Sequence, residues 1–361
     1  MDNAVIFCEG QFGMLDGKTA NGLVRYSKKY KIVGVIDSTK AGKDAGEVLD
    51  GVKNGIKIYK NLEEVLKKAK EPIQYFIYGI APSTPFLPKH HRKVIHQAIE
   101  NKLNIVIGLM SFLTEDSRIM KKAKLYGVKI YDVRKPPAKR KLHIFSGRIK
   151  EVDVPVIAVL GMDTAIGKRT TALILDKALN DRGLKSVFVA TGQTGLIQGA
   201  KYGVAMDAIP DDFLVGEVEN AVVSAYQGEH PDIIIVEGQS ALGHPAFIGS
   251  FAIVKGARPN GIILQHAPMR KTYCDFPTIP IKSVREEIKL IETVSHSKVI
   301  GITLNHEGMS KVETLKKIEE YEEEFGLPVT DPLFFGMDKF ADQIIKIFLL
   351  PSRIELLENT I

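Results

Sequence analysis

One stretch constrains this chain more than any other: Val156-Ile-Ala-Val-Leu-Gly-Met-Asp-Thr-Ala-Ile-Gly-Lys-Arg-Thr-Thr-Ala-Leu-Ile-Leu175. An apolar run ends at Gly161, a short loop follows, and Gly167-Lys168 opens a segment with helical character. Buried strand, glycine-bounded loop and helix in that order form a phosphate loop, in which backbone N–H groups and the positive helix end face an anion. Lys168 adds a point charge for the outer phosphates. The spacing is unusual in two respects. Five residues separate Gly161 from Gly167, and Arg169 stands where a Ser or Thr normally follows the lysine. Thr170 or Thr171 must then supply any hydroxyl for magnesium.

A chain of 361 residues is long for one core, so two domains are expected. The hydrophobic share of 45% and charged share of 25% are those of an ordinary globular protein, and no apolar stretch is long enough to span a membrane. The N-terminus enters a strand without a basic leader, and the two cysteines, Cys8 and Cys274, read as buried thiols; a cytoplasmic protein is expected. The net charge of +6 resides largely in Arg134-Lys-Pro-Pro-Ala-Lys-Arg-Lys141 and in helix faces such as Lys121-Lys-Ala-Lys124. Without aromatic residues among those charges to stack bases, neither a nucleic acid nor a membrane is an expected partner.

The first part alternates apolar strands (Ala4–Phe7, Ile32–Ile36, Tyr75–Tyr78, Asn104–Ile107) with helical stretches (Thr19–Tyr30, Leu62–Lys70, Pro88–Asn101). That alternation predicts a mainly parallel sheet flanked by helices, an α/β domain of Rossmann-like type. Asp37 ends the second strand, where a dinucleotide fold keeps its ribose-binding acid, but Glu9-Gly-Gln-Phe-Gly13 lacks the full glycine fingerprint, so no nicotinamide cofactor is expected. The boundaries read as a Rossmann-like domain over 1–137, a linker with a short strand (Leu142–Phe145) over 138–150, and a phosphate-loop domain over 151–361. Further strands in the latter are expected at Ser186–Ala190, Asp232–Val236, Gly261–Leu264 and Val299–Leu304.

Polar residues gather where these strands end, which is where an open α/β sheet binds ligand. Glu237 follows a fully apolar strand and suits magnesium coordination or water positioning, with Thr170 as the second metal contact. Gly192 and Gln193 lie in a glycine-bracketed loop that permits close backbone approach. His266 and Arg270 follow another strand; the histidine suits a proton shuttle and the arginine a carboxylate fork, with His244 as the competing base. Asn305, at a further strand end, is placed to read a base edge. Together with Gly161, Asp163, Gly167, Lys168, Arg169 and Thr171, these make up the cofactor-binding and catalytic set. Asp207, Asp211, Asp212 and Glu217 read mainly as surface or capping acids.

Gly161 to Lys168 together with Val236-Glu-Gly238 resembles dethiobiotin synthetase and its P-loop relatives. A fuller set covers nearly the whole chain: Gly108-Leu-Met-Ser-Phe-Leu-Thr-Glu-Asp116, Asp132-Val-Arg-Lys-Pro-Pro137, Gly161 to Thr171, Thr191-Gly-Gln-Thr-Gly195, Glu237-Gly-Gln-Ser240 and Leu327-Pro-Val-Thr-Asp-Pro332. By these motifs the chain resembles the DgcN-like family, whose members pair a Rossmann-like domain with a P-loop domain. The resemblance implies N-acetylation of a D-amino acid such as D-glutamate, with acetyl-CoA as donor. A phosphate loop binds any pyrophosphate, and coenzyme A carries one, so the loop is expected to hold acetyl-CoA or ATP, with Mg2+ as an option. Three functions remain open: an acyltransferase acting on a small amino acid, an ATP- and magnesium-dependent ligase acting on a carboxylate, and a nucleotide-controlled switch. A homo-oligomer is expected.

Overall fold

The computed structural model describes residues 1–82, 84 and 86–349. The described residues form two compact units, one within 1–139 and 193–201, the other within 140–192 and 202–349. In the first unit the elements run β1 (Asp2–Phe7), α1 (Lys18–Arg25), β2 (Tyr30–Ile36), α2 (Ala45–Asp50), β3 (Ile58–Tyr59), α3 (Leu62–Lys68), β4 (Tyr75–Tyr78), α4 (Arg92–Glu100), β5 (Asn104–Ile107), α5 (Ser117–Tyr126) and β6 (Ile130–Asp132). The strands form one parallel sheet in the order β3-β2-β1-β4-β5-β6, the order of a dinucleotide-binding fold. After the leading Asp2, Asn3 and Asn104, strands β1, β4 and β5 are apolar, as buried parallel strands require.

Asp37 has a different role from the ribose-binding one its position suggests. Its carboxylate is fully buried and accepts the amides of Gly10 (3.1 Å), Phe12 (3.1 Å) and Thr39 (3.0 Å) and the Thr39 hydroxyl (2.6 Å). It therefore anchors the loop after β1 instead of facing a sugar. Gly10 and Gly13 in that loop hold φ of +69° and +78°, where a side chain is strained.

The second unit continues with β7 (Val156–Gly161), α6 (Lys168–Asn180), β8 (Ser186–Ala190), α7 (Gln193–Gln198), β9 (Tyr202–Gly203), α8 (Asp211–Glu229), β10 (Ile233–Glu237), α9 (Gly249–Ala257) and β11 (Gly261–His266). A hairpin of β12 (Thr272–Tyr273) and β13 (Phe276–Pro280) follows, then α10 (Val284–Ser295), β14 (Lys298–Leu304), α11 (Lys311–Phe325), β15 (Val329–Thr330), α12 (Pro332–Phe335) and α13 (Asp338–Ile344). Of these, α7 belongs to the first unit, where the Thr194 hydroxyl bonds that of Thr19 at 2.7 Å and the Gln198 amide donates to the Gly22 carbonyl at 2.9 Å. The seven-stranded sheet has the order β15-β14-β11-β7-β10-β8-β9 and is parallel throughout. No helix among the described residues is long and apolar enough to cross a membrane.

The short strand expected over Leu142–Phe145 does not form; the segment is irregular. Its amides bond acids of α8 in place of a strand: Glu217 accepts from His143 N–H (2.6 Å), and Glu219 accepts from Ser146 N–H (2.7 Å). A Cβ at Gly216 would lie 2.2 Å from the His143 carbonyl oxygen, so a glycine lets this segment lie against α8.

Replacing Asp37 with Ala should leave three amides of the β1 and β2 loops without an acceptor. Stability to denaturant should fall by about 2–4 kcal/mol. An unchanged unfolding midpoint would remove Asp37 from its anchoring role.

Candidate functional site

A parallel sheet sends every strand's carboxyl end to one edge, so the residues after β7, β10, β11 and β14 share that edge of the second unit. The loop after β7 is held from several sides. Met162 N–H donates to the Gln265 carbonyl (3.1 Å), and the Asn305 side-chain amide donates to the Ile166 carbonyl (2.9 Å). Lys168 Nζ donates to the Asp163 carbonyl. Gly161 is required because a Cβ there would sit 2.8 Å from Lys168 Cδ and 3.1 Å from the Gln265 carbonyl oxygen. Ala165 (φ +50°) and Gly167 (φ +104°) carry the chain through left-handed conformations into α6.

Helix α6 is 13 residues long, and no side chain caps its start at Gly167. A glycine at the N-cap leaves room for an anion at the first turn, beside the buried Lys168, as phosphate binding requires. The residues present fit a pyrophosphate: an uncapped helix start, a loop whose shape a Cβ would spoil, and a lysine. They fit magnesium less well. Arg169 occupies the place of the metal-binding hydroxyl, and the Thr171 hydroxyl is already bonded to Gln265 Oε1.

Most of the remaining expected ligand-binding residues shape the loop. Asp163 is buried; its Oδ1 accepts Thr164 N–H at 2.7 Å, and its Oδ2 accepts Arg270 at 2.9 Å and Cys274 N–H at 3.0 Å. Arg270 also donates to the Thr164 carbonyl (2.8 Å) and to Glu307 (2.7 Å). Burial opposes its charge, but Glu307 and Asp163 outweigh that and raise its pKa. The fork expected to clamp a substrate carboxylate is therefore filled by the protein's own acceptors, and Arg270 acts as a strut for residues 163–165. Asn305 likewise bonds the loop backbone instead of presenting an edge to a base. Gln193 begins α7 in the first unit, where its side chain packs at Gly108, while Gly192 stays with the second unit.

Glu237 is buried at the end of β10. Its Oε2 accepts Thr191 N–H at 3.0 Å, and its carbonyl accepts the Thr191 hydroxyl at 3.0 Å. Burial raises its pKa, against the opposing charges of Arg169 and Lys168. A Cβ at Gly238 would lie 2.0 Å from the Val159 carbonyl oxygen, so the acid loop and the strand feeding the phosphate loop come together only through a glycine.

The two histidines differ. His266 stacks on Tyr321 (centroids 5.9 Å apart, planes 16° apart), and its Nδ1 is buried without a hydrogen-bond partner. Burial, helped by Lys271, lowers its pKa to about 4. It shares no hydrogen bond with Arg270 among the described residues. His244 lies beside the phosphate loop, with Nε2 3.9 Å from Asp163 Oδ1, in a cage of Phe247, Tyr273 and Phe276. Its Nδ1 accepts Ala246 N–H at 3.2 Å, so the neutral ring carries its proton on Nε2 and is a donor there. Burial lowers its pKa as well.

Three residues escaped the sequence reading. Gln265 Oε1 accepts from both Thr171 and Thr303 (2.7 Å for the latter), linking β11 and β14 to α6. Glu287 of α10 is buried and accepts Gly243 N–H at 3.1 Å, fixing the turn before His244. Glu307 holds Arg270 from the far side. A polar Gln265 directly after the apolar Ile262–Leu264 run was the visible signal; the two acids had none.

A Rossmann-like unit joined to a P-loop unit is the class that this fold and site define. A domain of unknown function, the P-loop domain DUF1611_C, matches residues 143–341, and its N-terminal Rossmann-like counterpart, DUF1611_N, matches residues 38–136; the chain belongs to this family. It is 30% identical over 289 residues to a protein from Tritonibacter scottomollicae named D-glutamate N-acetyltransferase, covering 78% of this chain and 84% of that one. A protein of the same name from a Pseudoalteromonas species is 31% identical over 297 residues, covering 80% and 87%. The crystal structure of a DUF1611 family protein from Anabaena variabilis matches with a TM-score of 0.87 at 31% identity, over 96% of this chain and 100% of that one.

Two predictions follow from this geometry. Arg270→Ala should speed amide exchange at Met162–Ile166 by about tenfold or more while leaving the middle of α6 protected; unchanged exchange would refute the strut. His266, with a folded pKa of about 4 against an ordinary 6.5, takes up its proton later than the unfolded chain does. Its contribution to stability is full above pH 6.5 and is lost as pH falls from there to about 4. A His266→Phe variant should therefore lose less stability across that window in acid titrations of the unfolding midpoint.

Proposed function

We propose that the chain is an N-acetyltransferase that moves the acetyl group of acetyl-CoA to the amine of a D-amino acid, with D-glutamate the leading acceptor. The uncapped start of α6 beside Lys168 is the observation that carries this reading, since it suits the pyrophosphate of the donor. The names of the relatives, matched over about four-fifths of this chain, support the choice of donor and acceptor. The free thiols Cys8 and Cys274 are compatible with work in a reducing cytoplasm.

When bound, acetyl-CoA supplies a thioester carbonyl carbon open to attack by an amine. An N–C bond forms, the C–S bond breaks with coenzyme A leaving as its thiolate, and the proton lost by the amine balances the one that thiolate takes up to become the free thiol. Lys168 and the first amides of α6 hold the pyrophosphate and fix the donor's position. His266 is neutral at pH 7 because burial holds its pKa at about 4, so it can accept the amine proton, as a weak base. His244, with its proton on Nε2, is suited to donate to the thioester oxygen as negative charge develops there. The ligase reading is weakened by Arg169 at the metal-hydroxyl position.

Thiol release from acetyl-CoA should depend on added amino acid, with D-glutamate faster than L-glutamate. Lys168→Ala should lower donor affinity about 10- to 100-fold without unfolding the protein, the loss expected for one charged hydrogen bond. Acetyl-CoA inert with every D-amino acid, alongside ATP turnover with a carboxylate acceptor, would replace this reading with the ligase.

A further inference from the structure

Phosphate loops that use magnesium place a hydroxyl directly after the lysine and an acid at the neighbouring strand end. This chain keeps the acid, Glu237, and replaces the hydroxyl with Arg169 in the first turn of α6. The other hydroxyls do not restore the arrangement. Thr171 is bonded to Gln265, which Thr303 also holds. Thr170 is two residues beyond Lys168, roughly 200° around the helix from it.

Glu237, in turn, is not an open ligand. It is buried, one oxygen accepts Thr191 N–H, and the charges of Arg169 and Lys168 both act on it. Lys168 and Arg169, the first two residues of a 13-residue helix, therefore bring two positive charges to its positive end, where a metal would add two more. The pyrophosphate of coenzyme A is a diester with two negative charges, which these groups can balance unaided. The triphosphate of ATP carries about two more and needs a metal for its outer oxygens.

We infer that Arg169 takes the place of magnesium in this loop, so that the site binds a diester pyrophosphate such as that of coenzyme A without metal and discriminates against nucleoside triphosphates. The inference rests on the proposed use of acetyl-CoA, and it extends that reading to how the loop selects its ligand.

The test is calorimetric titration of the whole chain with coenzyme A, ADP and ATP, each in EDTA and in excess Mg2+. Coenzyme A affinity is expected to be the same within about twofold in both media and to exceed that of ATP in each. Arg169→Thr should lower metal-free affinity for coenzyme A about 10- to 100-fold and bring in a dependence on Mg2+, whereas Arg169→Lys should retain metal-free binding in part. Thermal melts of both variants verify folding, and Arg169→Gln substitutes if the threonine variant fails to fold. Metal-free binding of ADP with none of coenzyme A would overturn the acetyl-CoA reading but uphold metal-independent pyrophosphate capture. A tenfold or greater loss of wild-type affinity in EDTA, undiminished metal-free affinity in Arg169→Thr, or binding of none of the three would overturn the inference.

Discussion

The uncapped amino end of α6, set at the carboxyl edge of a parallel sheet, is the constraint on which the rest of the second unit depends. The first amides of a helix find no acceptor within the helix itself, and Gly167 has no side chain to cap them. Holding those donors in place requires the preceding loop to run through two left-handed residues, Ala165 and Gly167. The surrounding residues keep it there: Asn305 on the Ile166 carbonyl, Arg270 on Asp163 and Thr164, and Gln265 on Met162 and Thr171. Residues from two neighbouring strand ends, those of β11 and β14, thus rigidify one loop, which is how a binding site is pre-organised.

Each buried charge around the loop has an opposite charge or an amide beside it. Asp163, Arg270 and Glu307 form a chain from the loop to the segment after β14. Glu307 is exposed, whereas Asp163 is buried; removing Arg270 would leave Asp163 without its counter-charge, a larger cost than the pair contributes when intact. Glu237 is balanced differently, by Arg169, Lys168 and the Thr191 amide. The first unit follows the same logic with a single acid: Asp37 gathers the loop amides after β1 that a bound dinucleotide would otherwise help to organise.

The architecture was largely legible in the sequence because buried parallel strands and covering helices have different periods. The strands at 4–7, 75–78 and 104–107, and the strand–loop–helix at 156–175, stood out for that reason. The irregular path of 142–146 did not, because its amides are satisfied by Glu217 and Glu219, more than seventy residues later, and no local pattern reports such a bond. The same holds for the segment 193–201, whose packing with the first unit depends on contacts distant in sequence, such as Thr19 with Thr194. At the site, the strand ends named the right neighbourhood, but roles within it depended on partners. Arg270 and Asn305 read as ligand-binding groups because their donors are visible in the sequence, whereas the acceptors that occupy them, Glu307 and the loop carbonyls, emerge only on folding.

The most direct test of the central claim is a crystal structure of this chain with coenzyme A bound. The account predicts pyrophosphate oxygens within hydrogen-bond distance of Lys168 Nζ and of the first amides of α6, with the Arg169 guanidinium between the pyrophosphate and Glu237. A pyrophosphate bound in the first unit, or one reached by neither Lys168 nor the α6 amides, would contradict it.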